Sequence, residues 1–234
     1  MKSVLGRIAA AALAVLLALS LVSCKKNTPG ESDGNKDNST SVAVYKVDGG
    51  EMGDSGLSWE ITSDGVMVVR GNGKMPVYQY KSIEDSDLPW TAYLQGNVDN
   101  TLLMKKLVVE EGVISISENA FKDCKNLSEV VLPSTLTEIG YSAFGNCRRL
   151  TRVSGGIGLV RIEEFAFQGC GTLNLFSVSP KLAEVQNGAF SECGTLTLLV
   201  TGSETEWKAA LEKMTVREGN GAFTSATTRF YEVK

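Results

Sequence analysis

The chain has no histidine among its 234 residues. Without it there is no ordinary general base near neutral pH, no Ser-His-Asp or Cys-His nucleophile and no His-ligated metal site. Paired carboxylates, a lysine or a tyrosine remain available, but most familiar hydrolase designs are excluded, and no enzymatic role is expected. A basic excess is also missing. The formal charge is −4, and Lys2 and Arg7 are the only charged residues in the first 23, so beyond them acids lead bases by about six. That balance speaks against a nucleic-acid partner. The one long apolar run, Ile8 to Leu21, is shorter than the ~20 residues a helix needs to cross a bilayer. With 43% hydrophobic and 21% charged residues, the remainder reads as an ordinary globular domain.

What the chain does have begins with its leader. MKSVLGR supplies a short cationic start, the apolar run follows, and Leu21-Val22-Ser23-Cys24 closes it before Lys25 and Lys26. This is the layout of a secretion signal over residues 1–23. Its last four residues resemble a bacterial lipobox, which implies that the Cys24 sulfur is alkylated with diacylglycerol and becomes the new N-terminus. More than one acyl chain gives stable anchoring, so an exported protein held at the bacterial envelope, on the outer membrane or cell surface, is expected. Residues 24–42 are almost devoid of apolar side chains and read as a flexible tether.

The dominant signal is a repeat. Ala-Phe-x-x-Cys occurs at Ala120, Ala143, Ala166 and Ala189, each 23 residues from the last, and ends on Cys124, Cys147, Cys170 and Cys193. Leu127, Leu150, Leu173 and Leu196 keep the register. So do Val130, Val153, Phe176 and Leu199, then Val113, Leu136, Leu159 and Leu182, and finally Ile116, Ile139, Ile162 and Val185. One coil of this length cannot bury its own apolar residues, whereas stacked coils superimpose each column into a continuous core. The fold expected is mainly β: a leucine-rich-repeat solenoid of about four 23-residue coils over 101–200, with one short parallel strand per coil. Leu-x-x-Val-x-Leu, as in Leu127 to Leu132, marks the strand, and Ala-Phe-x-x-Cys a short helical or 3₁₀ turn at a corner.

This block, with Leu136-Thr-Glu-Ile-Gly140 before the next Ala-Phe, resembles the BspA-like bacterial leucine-rich repeats of surface lipoproteins. Flanking segments share the resemblance: Trp59-Glu-Ile-Thr-Ser-Asp-Gly65, Gly71-Asn-Gly-Lys-Met-Pro76 and Pro89-Trp90 before the array, Thr201 to Trp207 after it. It implies a binding or adhesion module. Two departures stand out, Val153-Ser-Gly-Gly156 in one strand and Glu163 and Gln186 in place of Gly140, and bulged middle coils are expected there.

Stacked coils place equivalent residues about 4.8 Å apart with parallel side chains, whereas a disulfide needs converging Cβ atoms at about 3.5–4.5 Å. The four repeat cysteines are therefore read as a ladder of buried thiols with no metal and no other cofactor, although an oxidising compartment leaves disulfides open. Both ends need caps. Leu57, Trp59 and Ile61, the Asp64-Gly65 turn and Val66 and Val68 predict a β-hairpin within a small β-rich N-terminal cap over 43–100, with Trp59 and Trp90 in its core. Over 201–234, Trp207, Ala210, Leu211 and Met214 fall at helical spacing after Ser203 and predict a short helix plugging the last coil, with a final strand near Thr227 to Val233.

Strand positions between the core columns point outward and form the usual ligand face of a solenoid. One outward column is Lys106, Glu129, Arg152, Leu175 and Leu198; the other is Val108, Val131, Ser154, Ser177 and Val200. Glu138, Arg161 and Glu184 form a separate ladder of alternating charge. The expected partner is a host or bacterial surface protein or a glycan. A structural or assembly subunit of an envelope complex is the competing reading.

Overall fold

Every 23 residues the chain returns to the same place one coil further on, and backbone hydrogen bonds fix that return. The Thr137 N–H donates to Ile114 O, Val160 to Thr137 O and Ala183 to Val160 O, at 2.8–2.9 Å. In the computed structural model, which describes residues 43–82, 86–91 and 100–231, this repetition builds two parallel ladders. The larger holds β1 (Lys46–Glu51), β2 (Leu57–Thr62), β3 (Val66–Gly71), β5 (Lys106–Val109), β7 (Glu129–Leu132), β9 (Arg152–Gly155), β11 (Leu175–Val178), β13 (Thr197–Thr201) and β15 (Thr227–Tyr231), in that spatial order. The smaller holds β4 (Gly73–Lys74), β6 (Val113–Ile116), β8 (Glu138–Ile139), β10 (Arg161–Ile162), β12 (Glu184–Val185) and β14 (Thr215–Val216). Each coil gives one strand to each sheet, and all neighbours from β3 onward pair in parallel.

The array is thus longer than its sequence repeat. The expected hairpin forms, with β2 antiparallel to β3, but β3 also pairs in parallel with β5 and serves as the first coil's strand. Among the described strands, β1 and β2 alone lie outside the coil pattern at this end. Within β3 it is Met67 and Val69 that face the core, while Val66 and Val68 face outward. At the other end β14 and β15 carry the ladders past residue 200. Ala43–Lys234 forms one compact unit.

The corner blocks form short turns, as expected, closed by three-residue bonds such as Lys122 N–H to Asn119 O and Cys124 N–H to Phe121 O at 3.2–3.3 Å, but no continuous helix. The N–H groups of Phe121, Phe144 and Phe167 donate at 2.8 Å to Ala143, Ala166 and Ala189 of the next coil, which leaves them unable to close a helical ring. The same geometry stacks the Phe side chains. Phe121, Phe144, Phe167 and Phe190 follow one another with centroids 5.2–5.5 Å apart and planes within 14°. Trp90 continues the stack on Phe121 at 5.1 Å and Phe223 continues it on Phe190 at 5.2 Å. Trp90 is a core residue, as expected, and occupies the first coil's aromatic position, its indole N–H donating to Ala120 O at 3.1 Å. Each corner also needs left-handed backbone. Asn119, Ser142 and Phe165 adopt φ of 50–58° and Gly188 adopts 59°, a conformation that costs a residue with a Cβ roughly 1–2 kcal/mol.

The cysteine ladder is a set of coil-to-coil links. The Cys147, Cys170 and Cys193 thiols donate to Phe121 O, Phe144 O and Phe167 O at 3.1–3.2 Å, and none of the four repeat cysteines is joined in a disulfide. Burial pushes the Cys147 thiol well above its ordinary pKa and that of Cys193 up to about 12, with neighbouring thiols adding to the rise.

The expected helix spans Glu204–Leu211 (α2, after the single turn α1, Asn100–Leu103). Ser203 caps it: its hydroxyl accepts from the Glu206 N–H, and the Glu206 carboxylate accepts from the Ser203 N–H. It does not plug the last coil. It is inserted between β13 and β14, burying Trp207 and leaving Leu211 exposed, and β15 is the outermost of the described strands, with every side chain exposed. A cavity of about 220 Å³, lined by Leu198, Trp207, Val216 and Phe223 among others, opens at this end.

Candidate functional site

The outward face of the larger sheet follows from strand alternation: Leu107, Val130, Val153 and Phe176 point into the core, so their neighbours point out. The first outward column reads Lys106, Glu129, Arg152, Leu175, then Thr197; the second reads Val108, Val131, Ser154, Ser177, then Leu199. All but the last members are those read from the repeat. Leu198, expected outward, is a core residue with 2% exposure, and Val200 is buried beside it. The stretch from Leu196 to Leu198 is one residue shorter than that from Leu173 to Phe176, and a one-residue shift sends every later side chain to the opposite face. Leu199, expected in the core column, accordingly faces out and is half-buried. Strict alternation of Leu196, Leu198 and Val200 was the available signal, hidden because both neighbours of the slip are leucines.

A second correction concerns Ser177, which is 4% exposed and unavailable to a large ligand. The pairing of β9 with β11 stops at Phe176–Val153, where Gly155 (φ 80°) and Gly156 (φ 65°) turn the β9 chain away. The expected irregularity therefore occurs at the Gly pair. It does not occur at Glu163 and Gln186, whose N–H groups donate to Ile139 O and Ile162 O at 2.9 Å, as Gly140 does to Ile116 O.

Charge on the face is concentrated towards its N-terminal strands. Lys106 meets Glu129 at 3.4 Å, and Arg70 meets Glu60 at 2.7 Å and Glu110 at 3.7 Å. Such half-exposed pairs contribute little to stability and mainly set the potential a partner meets. Between them and Arg229 lies a strip of half-buried Val108, Val131, Leu175 and Leu199 interrupted by Ser154 and Thr197. Arg152 stands exposed at its border. An apolar strip edged by charge suits a partner with a flat, partly apolar surface. Among the described residues no group of three His, Cys, Asp or Glu side chains is placed to hold a metal.

On the smaller sheet Arg161 lies between Glu138 and Glu184, as the alternating ladder predicted, with its guanidinium 3.5 Å from Glu184 and 3.8 Å from Glu163. Burial raises the Glu163 carboxyl pKa, and the nearby Glu138 carboxylate adds to the rise against the pull of Arg161. Cys24 and the leader lie outside the described residues. No described helix is long and apolar enough to cross a membrane.

Comparison with known proteins accords with this geometry. Residues 98–208 match the BspA type leucine rich repeat region in six copies. Among solved structures, a leucine-rich repeat protein from Eubacterium ventriosum superposes with a TM-score of 0.54 at 20% identity over 82% of this chain and 45% of that one. A leucine rich cell surface protein from Faecalibacterium prausnitzii gives 0.41 at 18% identity, over 76% and 53%. The leucine rich repeat protein of T. pallidum gives 0.44 at 21%, over 74% and 66%. The chain thus spans less than half the length of the E. ventriosum protein, and likeness at this identity shows the fold alone. No curated protein matches the chain.

Proposed function

Because residues 98–208 belong to the BspA-type leucine-rich repeats, we propose that this protein is an envelope-anchored binding or adhesion module that recognises a surface protein or glycan through the outward face of its larger sheet. The observation that carries the reading is the group of half-buried aliphatic side chains on that face, Val108, Val131 and Leu199 in the second outward column and Leu175 in the first, with Arg152 beside them. A structural sheet face with no partner has no need of four neighbouring aliphatic side chains half open to water. Cys24 supplies the anchor and residues 25–42 the reach. A second reading, a structural subunit of an envelope assembly, draws on the exposed side chains of β15, the outermost described strand, and the apolar hollow beside it.

The test is capture of ligands by the unit from Ala43 onward on immobilised host matrix proteins, bacterial surface proteins and glycans. V108D and L199D are expected to weaken capture about tenfold or more, as a charge placed in an apolar contact does. Capture unchanged in both variants, or no capture by the wild type, overturns the reading. C24S should lose fatty-acid labelling and leave the membrane fraction. Crosslinking in cells that returns one stoichiometric envelope protein would instead favour the assembly reading.

A further inference from the structure

The corner ridge between the smaller sheet and the aromatic stack is built to one plan in every coil, and one coil breaks that plan. Its backbone ladder runs from the Asn119 N–H to Tyr141 O, from Ser142 to Glu164 O, from Phe165 to Asn187 O and from Gly188 to Glu218 O, at 2.8–3.1 Å. Asn119, Ser142, Phe165 and Gly188 all adopt the left-handed conformation. Asn and Gly are the residues that tolerate it and a short polar Ser is accommodated, whereas an aromatic residue there is strained. Three coils do without an aromatic side chain at this position, so the solenoid does not require one. The ring also takes up room that its neighbour must leave free, since a Cβ on Gly188 would lie 2.7 Å from it.

Phe165 stays out of the core. It is half-buried and meets Tyr141 edge to face, with centroids 5.9 Å apart and planes at 88°. Tyr141 is 40% exposed. Along the ridge Tyr141 is flanked by Glu118 and Glu164, one coil step of about 4.8 Å to either side. The Glu164 carboxylate accepts from the Asn187 amide at 3.0 Å, and Glu163 accepts from the Tyr141 N–H at 2.9 Å. An aromatic pair, Tyr141 exposed and Phe165 half-buried on strained backbone, thus sits among carboxylate acceptors and a carboxamide.

We propose that the Tyr141–Phe165 pair is a binding subsite for a neutral pyranose unit of a glycan, distinct from the sheet face. One face of a pyranose ring carries mainly C–H groups and packs against an aromatic ring, while its equatorial hydroxyls donate to carboxylates at the border. Local charge selects the sugar class. Glu118 and Glu164 flank Tyr141 along the ridge and Glu163 accepts from its N–H, so uronate, sulfated or sialylated units meet like charge and are rejected. Strain at Phe165 then has a reason, because it sets a second ring perpendicular to that of Tyr141, making a corner against which a pyranose packs.

The experiment titrates the unit from Ala43 onward with cellohexaose, maltohexaose and mannohexaose, and with oligogalacturonate as the anionic counterpart, following saturation-transfer NMR and calorimetry. At least one neutral oligosaccharide is expected to bind, and oligogalacturonate is not. Y141A and F165N should each bind about tenfold or more weakly. F165N places the residue of the Asn119 position in a backbone that suits it, so its Tm is expected to stay near that of the wild type. Binding by no neutral oligosaccharide, equal binding of the anionic one, or wild-type affinity in Y141A overturns the proposal. So does a fall in Tm of F165N as large as that of a core Phe variant, which would make the pair structural. The sheet face contributes no residue to this test, so each reading can fail alone.

Discussion

Replacing Phe167 by Ala tests whether stacking of equivalent side chains holds the coils together. Phe167 is fully buried between Phe144 at 5.2 Å and Phe190 at 5.3 Å, both nearly parallel, and Phe176 meets it edge-on at 5.2 Å. A buried Phe→Ala change costs about 3–5 kcal/mol through lost transfer energy and the cavity left behind. Three ring neighbours, each contributing about 0.5–1.5 kcal/mol beyond area, place F167A at the upper end of that range. For a domain of this size each kcal/mol lowers Tm by about 2–4 °C, so a fall of about 10–20 °C is expected. Phe223 gives the internal control. It has one parallel ring neighbour, Phe190, and already borders a cavity of about 220 Å³, so F223A leaves less new void and should cost about half as much. Calorimetric melts of both variants, backed by urea titrations to compare m-values, read the difference. A fall below about 5 °C for F167A, or an equal or larger one for F223A, would refute the view that the column is the main inter-coil link.

Three further outcomes follow from the same structure. N220A should lower stability by about 2–4 kcal/mol in urea unfolding, because the buried Asn220 amide donates to Gln186 O at 2.7 Å and Arg217 O at 2.9 Å while its oxygen accepts from the Phe190 N–H at 3.0 Å, and truncation strands buried backbone groups. Iodoacetamide at pH 8 should label the native repeat thiols very slowly, Cys193 ahead of the fully buried Cys147, and all of them quickly in urea, since the Cys193 thiol lies near pKa 12; fast native labelling would contradict the buried ladder. The Glu111 carboxylate accepts from the Ser134 N–H and hydroxyl and from the Thr135 N–H, which lowers its pKa below 4.5. A depressed folded pKa contributes stability that is present above the ordinary value and lost as pH falls below it. E111Q should therefore melt lower than wild type at neutral pH, with the gap closing as pH drops below about 4.5.

The sequence by itself determined the coil. A 23-residue spacing of Ala-Phe-x-x-Cys, with leucine columns in step, admits one economical arrangement, because stacking is the only way so short a unit buries its apolar side chains. Inward and outward positions from Lys106 to Leu175 followed from strand alternation, and Trp59, Trp90, the Ser203 cap and the strand after Thr227 were legible from local chemistry. Tertiary structure decided the rest. Trp90 and Phe223 lie outside the 23-residue spacing yet complete the aromatic stack, because a column accepts any ring that arrives at the right height, whatever the loop length before it. β3 became a coil strand and α2 an insertion through parallel pairing with neighbours distant in sequence. Leu198 and Leu199 exchanged faces because one missing residue moves every later side chain by half a strand period, and only the hydrogen-bonded register reveals where the slip falls. The strain at Phe165 likewise exists only in the folded corner, where backbone geometry set by three other coils is imposed on a residue ill suited to it.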